Sequence, residues 1–176
     1  MKKFAILFAG LFLMTFAFQS VNAQNTASSS ASAEIMTTLK IVKNTDLDFK
    51  QLAPSNNAGI VTMTNAGVRT GDANATPVGG GNGDAAKFTI DGVGGEAIDV
   101  TMEPANGIFD VTITNGTETM EVTLAAADVA IMNGITALPP GGTQVLTFGA
   151  SIAVGADQAA GTYNNDAAFT LTVIYQ

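Results

Sequence analysis

Short runs in which apolar and polar residues alternate recur along most of this chain. The clearest lies at the end, from Gly161 to Gln176, where Ala167, Phe169, Leu171, Val173 and Tyr175 alternate with Ala168, Thr170, Thr172 and Ile174. Period-two alternation sets one apolar row on one face, so this stretch predicts a half-buried closing β-strand. Ala97 to Glu103 reads the same way, with Ile98, Val100 and Met102 inward and Asp99, Thr101 and Glu103 outward. Thr143 to Ala156 predicts one long strand carrying Leu146, Phe148, Ala150, Ile152 and Val154 on one face. Earlier strands are predicted over Glu34 to Lys43 (Ile35, Thr37, Leu39 and Ile41 on one face), Ala58 to Thr64 and Lys87 to Ile90, with a short apolar contact at Leu47-Asp48-Phe49.

Turn residues punctuate these runs. Asn115-Gly116 favours the positive φ angles of a type I′ turn, which predicts a two-residue hairpin. That closure pairs Thr114 with Thr117, Val111 with Met120 and Phe109 with Val122; only the pair Ile113 with Glu118 sets apolar against charged. Asn65 to Ala85 is glycine-rich and predicts a surface loop or a loosely paired edge ribbon. Ala125 to Asn133 is open between loop and a short helical turn. Eight or nine short strands and no long helix predict an all-β fold, an antiparallel immunoglobulin-like or pilin-like β-sandwich.

The N-terminus follows a different pattern. Lys2 and Lys3 precede an apolar stretch from Phe4 to Phe18, and Val21-Asn22-Ala23 supplies the small residues a signal peptidase needs. Residues 1–23 therefore read as a secretory signal peptide, since the apolar stretch is short for a membrane span. Residues 24–33 (QNTASSSASA) are small and polar and predict a flexible arm. Residues 34–176 form a single domain. The expected location is the periplasm, the cell surface or the extracellular space, with no membrane insertion after cleavage.

Charge narrows the partners. Beyond the signal the only cations are Lys40, Lys43, Lys50, Arg69 and Lys87, against 15 acidic residues in the chain. So few scattered cations cannot track a phosphate backbone, which excludes nucleic acid, or form a polybasic membrane patch. Without cysteine, strand pairing and burial must hold the fold together.

Candidate chemistry is sparse. The absence of histidine and cysteine removes Ser-His-Asp triads, thiol nucleophiles and ordinary zinc sites. Asp99 and Glu103 beside an apolar row read as its solvated side, so no catalytic residue, metal ligand or cofactor is assigned and an enzyme is not expected. Gly79 to Asp84 is similar to glycine-rich calcium loops, and Asp72, Asn74 and Asp84 offer oxygen ligands. A plain flexible loop is the competing reading. Tyr163 is either a corner tyrosine that ties a loop or an exposed one.

In chain order, Leu47-Asp48-Phe49, Ala86-Lys87-Phe88-Thr89-Ile90-Asp91-Gly92, Leu146-Thr147-Phe148-Gly149, Gly161-Thr162-Tyr163 and Phe169 to Val173 resemble an exported bacterial family of unknown function. That family is similar to fimbrial and spore-coat-like β-sandwich subunits. The resemblance to chaperone–usher pilins rests on the spacing from Gly161 to Tyr175. It implies a closing or exchange strand built on Gly161, Tyr163, Phe169, Leu171, Val173 and Tyr175, clamped by an export chaperone and completed by a strand from another copy or a related subunit. The arm supplies only Ala27, Ala31 and Ala33 to such a groove, so a self-complete sandwich stays open. The expected function is an exported non-catalytic structural or surface protein, fimbrial-subunit-like, acting through strand-mediated contacts. The alternative is a monomeric exported binding module for glycan, calcium or a protein ligand.

Overall fold

The computed structural model describes residues 27–103 and 109–176. The predicted signal peptide, residues 1–23, and the first three arm residues lie outside the described residues. The chain divides after Ile35. Residues 27–35 are exposed and without regular secondary structure, and every described strand falls within Met36–Gln176.

Among the described residues, twelve strands and one helix make an antiparallel β-sandwich. β1 (Lys40–Thr45) and β10 (Thr143–Phe148) flank β6 (Ala86–Asp91) in a three-stranded sheet. A five-stranded sheet runs β4 (Arg69–Gly71), β3 (Gly59–Met63), β11 (Ala150–Val154), β9 (Thr119–Leu124), β8 (Asp110–Thr114). β12 (Thr170–Tyr175) pairs with β7 (Ile98–Glu103), and β2 (Leu52–Pro54) with β5 (Ala75–Pro77). Helix α1 (Ala126–Asn133) links β9 to β10. The three shortest strands, β2, β4 and β5, account for the excess over the eight or nine expected, and two of them lie in the glycine-rich stretch.

Period-two alternation places the core as predicted. Along β7, Ile98, Val100 and Met102 are buried while Asp99, Thr101 and Glu103 are exposed. β3 buries Val61 and Met63 and exposes Ile60. Phe88 of β6 meets Phe148 of β10 edge to face at 6.1 Å, a favoured aromatic geometry.

Three expectations about extent and register differ from the structure. Thr143 to Ala156 is two strands, not one, because the chain changes sheets at Gly149. A side chain there would collide with the Met63 carbonyl, so only glycine lets the backbone cross at that point. The Gly149 N–H donates to the buried Asp128 carboxylate at 2.7 Å, and Asp128 also accepts from Asn65 Nδ2 at 3.0 Å. α1, left open at the sequence level, thus anchors the sheet switch.

The first strand begins at Lys40, six residues later than expected, and Ile35 is 96% exposed. The β8–β9 hairpin closes through a four-residue loop instead of two. Thr114 pairs with Thr119, Ile113 with Met120 and Val111 with Val122. This two-residue slip keeps every side chain on its face and removes the clash of Ile113 with Glu118. Asn115 Oδ1 accepts from the N–H groups of Thr117 (2.9 Å) and Glu118 (2.8 Å), and Gly116 takes a φ of 93°, so the Asn-Gly signal marks the turn but not its length.

Candidate functional site

β1 follows β6 only as far as the pair Thr45–Lys87, after a register shift between Lys43 and Thr45. The chain then leaves the sheet and meets Asp84 through paired backbone hydrogen bonds at Asp48 of 2.8 and 2.9 Å. The two layers are left apart on this side, and a groove of about 1410 Å³ opens between them. One wall is the segment from Lys43 to Leu52, and the other runs from Gln158 to Phe169. Its floor is the inward face of the five-stranded sheet, with Ile113, Met120, Val122, Ile152 and Val154, joined by Phe88 of β6. Burial falls toward the hairpin turn: Val122 is buried, whereas Met120 and Ile113 are only half-buried.

The first wall is held by two of the chain's few cations. The Arg69 guanidinium lies under both neighbouring loops. Its Nη1 donates to the carbonyls of Phe49 (2.7 Å) and Gln51 (3.2 Å), and its Nη2 to those of Gly81 (3.1 Å), Gly80 and Val78 (both 3.4 Å). A planar fork of donors suits such convergent carbonyls. Lys50 adopts a left-handed φ of 56° and bridges Asp48 (2.8 Å) and Asp84 (2.5 Å). The hydrogen bonds that Lys50 Nζ donates to the Asp48 and Asp84 carboxylates push the pKa of its ammonium up to about 12. Burial pushes the Asp48 carboxyl up, but hydrogen bonds from the Lys50 side chain and N–H, with the charges of Lys50 and Arg69, outweigh it and hold that carboxyl low.

The opposite wall is tied to the β8–β9 turn. Glu118 Oε2 accepts from Gln158 Nε2 (2.8 Å), the Ala159 N–H (3.0 Å) and the Tyr163 hydroxyl (3.3 Å). That hydroxyl donates to the Ala159 carbonyl at 2.9 Å, so Tyr163 ties its loop. Gly161 packs against Asn115, where an added side chain would come within 3.2 Å of Asn115 Nδ2.

The six residues of the expected closing strand divide between two roles. Gly161, Tyr163 and Phe169 line the groove before β12 begins. Leu171 is buried, and Val173 and Tyr175 are half-buried against the core. Tyr175 is turned into its own domain: its hydroxyl accepts from the Val93 N–H at 2.7 Å and donates to the Thr37 carbonyl at 3.3 Å. Gly92 leaves room for it, since a side chain there would reach 2.5 Å from that oxygen. One edge of β12 pairs with β7 and one edge of β1 with β6. Among the described residues the second edge of each has no strand partner.

The two carboxylates of the glycine-rich stretch are engaged within the chain. Asp72 accepts from the N–H groups of Asn74 (2.8 Å), Ala75 (2.9 Å) and Ile60 (2.9 Å), bonds whose sum, led by Asn74, holds its carboxyl below the usual range. Asp84 is engaged by Lys50. Among the described residues no three acidic groups gather that could hold a metal ion. Arg69, which the sequence reading counted only as charge, is the residue it missed. The one available signal was a lone cation beside a glycine-rich run full of carbonyls.

The fold and groove define an all-β sandwich with an open seam between its layers. The chain belongs to the family described as Domain of unknown function (DUF4402), which matches residues 39–175. Comparison with curated proteins and with solved structures gave no match.

Proposed function

We propose that this is an exported, non-catalytic structural or surface protein that acts by taking an extended segment of a partner into the groove. The groove itself carries this reading. Apolar side chains are left half-exposed beside the end of β1, a strand whose second edge lacks a partner among the described residues, the arrangement to which an added strand contributes main-chain hydrogen bonds and alternate side chains. Its volume exceeds the roughly 300–1,000 Å³ of ordinary small-molecule pockets, which favours a chain segment over a compact ligand. The basic start at Lys2 and Lys3, the apolar stretch to Phe18 and the small residues of Val21-Asn22-Ala23 support export. The resemblance to fimbrial subunits supports the same role.

The test is amide hydrogen exchange on two samples: the purified mature chain and the same chain recovered in assemblies from the surface of the producing cell. The outer-edge amides of β1 and β12 should exchange rapidly in the first and be protected in the second. Recovery only as a monomer with both edges still exchanging rapidly would sink the reading.

A further inference from the structure

Beyond that reading, and standing without it, we infer that the β8–β9 turn converts its own Asn115: the side-chain amide closes onto the backbone nitrogen of Gly116 and ends as aspartate or isoaspartate. The chain has four Asn-Gly pairs, at Asn82, Asn106, Asn115 and Asn133, and the second of them lies outside the described residues. Glycine carries no side chain to block attack by its nitrogen, so composition alone makes the four alike. The fold makes them different.

Closure needs a nitrogen free to lose its proton, a group to accept that proton, and donors for the oxyanion that develops on the amide. At Asn82 and Asn133 the nitrogen is committed to backbone pairing. The Gly83 N–H donates to the Gly67 carbonyl at 2.9 Å, and the Gly134 N–H to those of Ala130 and Ile131, both at 3.1 Å. A ring at either place would break these bonds. At Asn115 the Gly116 N–H donates instead to the Thr114 hydroxyl at 2.9 Å, which in turn donates to the Glu118 carbonyl at 2.9 Å. The amide oxygen Oδ1 accepts from the N–H groups of Thr117 and Glu118 at 2.9 and 2.8 Å, a two-donor cradle like those that hold oxyanions in acyl transfer. Gly116 has a φ of 93° and nothing within 4 Å of where a side chain would stand, so a five-membered ring has room.

The step balances without an oxidant or a second substrate. The Gly116 N–H bond breaks and its nitrogen bonds to Asn115 Cγ; the Cγ–Nδ2 bond breaks, and Nδ2 leaves as ammonia with that proton. Water then opens the imide at either carbonyl, giving an aspartate or a backbone that runs through the former side chain. Both products add a negative charge to a turn that already carries Glu118, whose carboxylate ties Gln158, Ala159 and Tyr163. Asn115 itself packs on Gly161. The conversion therefore loosens the second wall of the groove as the protein ages.

The experiment incubates the mature chain, residues 24–176, at neutral pH, once folded and once in urea, and follows each site by peptide mass spectrometry. In the fold Asn115 should convert at least as fast as in urea, whereas Asn82 and Asn133 should be slowed about tenfold. Thr114→Val should slow Asn115 about tenfold in the folded chain and leave it unchanged in urea, and Thr114→Ser should restore the parent rate. Circular dichroism of each variant reports folding. Slower conversion of Asn115 in the fold than in urea would overturn the inference, because the same hydrogen bonds would then be guarding the amide. Conversion at the parent rate in folded Thr114→Val would overturn it too. Neither result bears on strand uptake.

Discussion

Arg69 sets one guanidinium beneath two loop segments and donates to five converging backbone carbonyls, of which Gln51's also accepts from the Val78 N–H. Arg69→Ala should cost about 3 kcal/mol of stability, because hydrogen bonds from a charged group contribute more than neutral ones and the orphaned acceptors remain. Arg69→Lys should recover little, since one ammonium cannot span both segments. Urea unfolding decides it: a lysine variant as stable as the parent would refute the carbonyl-collecting role. Lys50 already holds the Asp84 carboxylate and backbone N–H groups hold that of Asp72, so neither calcium nor EDTA should move Tm; a calcium-dependent rise would overturn this. Acid should act through Asp72 and Asp48. Both have folded pKa values below the ordinary 3.8, so their contribution is complete above that value and is lost as pH falls through the lowered ones. The thermal stability curve should therefore drop below about pH 4, and Asp72→Asn should flatten that drop. Lys50 has the opposite sign: its contribution is present below its ordinary 10.5 and fades as pH rises through about 12.

Two joints between elements depend on glycine. At Gly149 the chain passes from β10 to β11, and Gly149→Ala should cost about 3 kcal/mol through the clash with the Met63 carbonyl, where neither backbone can retreat. At Gly116 the cost of alanine should be about 1 kcal/mol, from positive φ alone, with open space around it. Chemical denaturation of the pair should rank them in that order; the reverse ranking would refute the account of the sheet switch. Tyr163→Phe should cost about 1 kcal/mol and loosen the second wall of the groove, because Glu118 and Ala159 lose one tie. The turn and the closing strand were legible as local patterns, whereas the helix stayed open between loop and helical turn. The four-residue loop was not legible, because a slip of two leaves inside and outside unchanged.

Over the whole molecule, protection should be uneven. β3, β6, β9 and β11 are paired on both edges, so their amides should exchange slowest, while β1 and β12 should show protection on one edge only. Equal protection across all nine longer strands would contradict an open seam. The sequence by itself determined which face of each strand is buried, where the chain turns and how little charge chemistry it carries. These follow from backbone geometry over a few residues, where the period of two and the turn residues act locally. Only the tertiary structure decided the pairing register, the change of sheet at Gly149, the places of Arg69 and Lys50, and the half of the closing stretch that lines a groove instead of pairing. Each of these depends on which distant segment becomes the neighbour, and alternation is blind to that, because any partner of the right parity satisfies it equally.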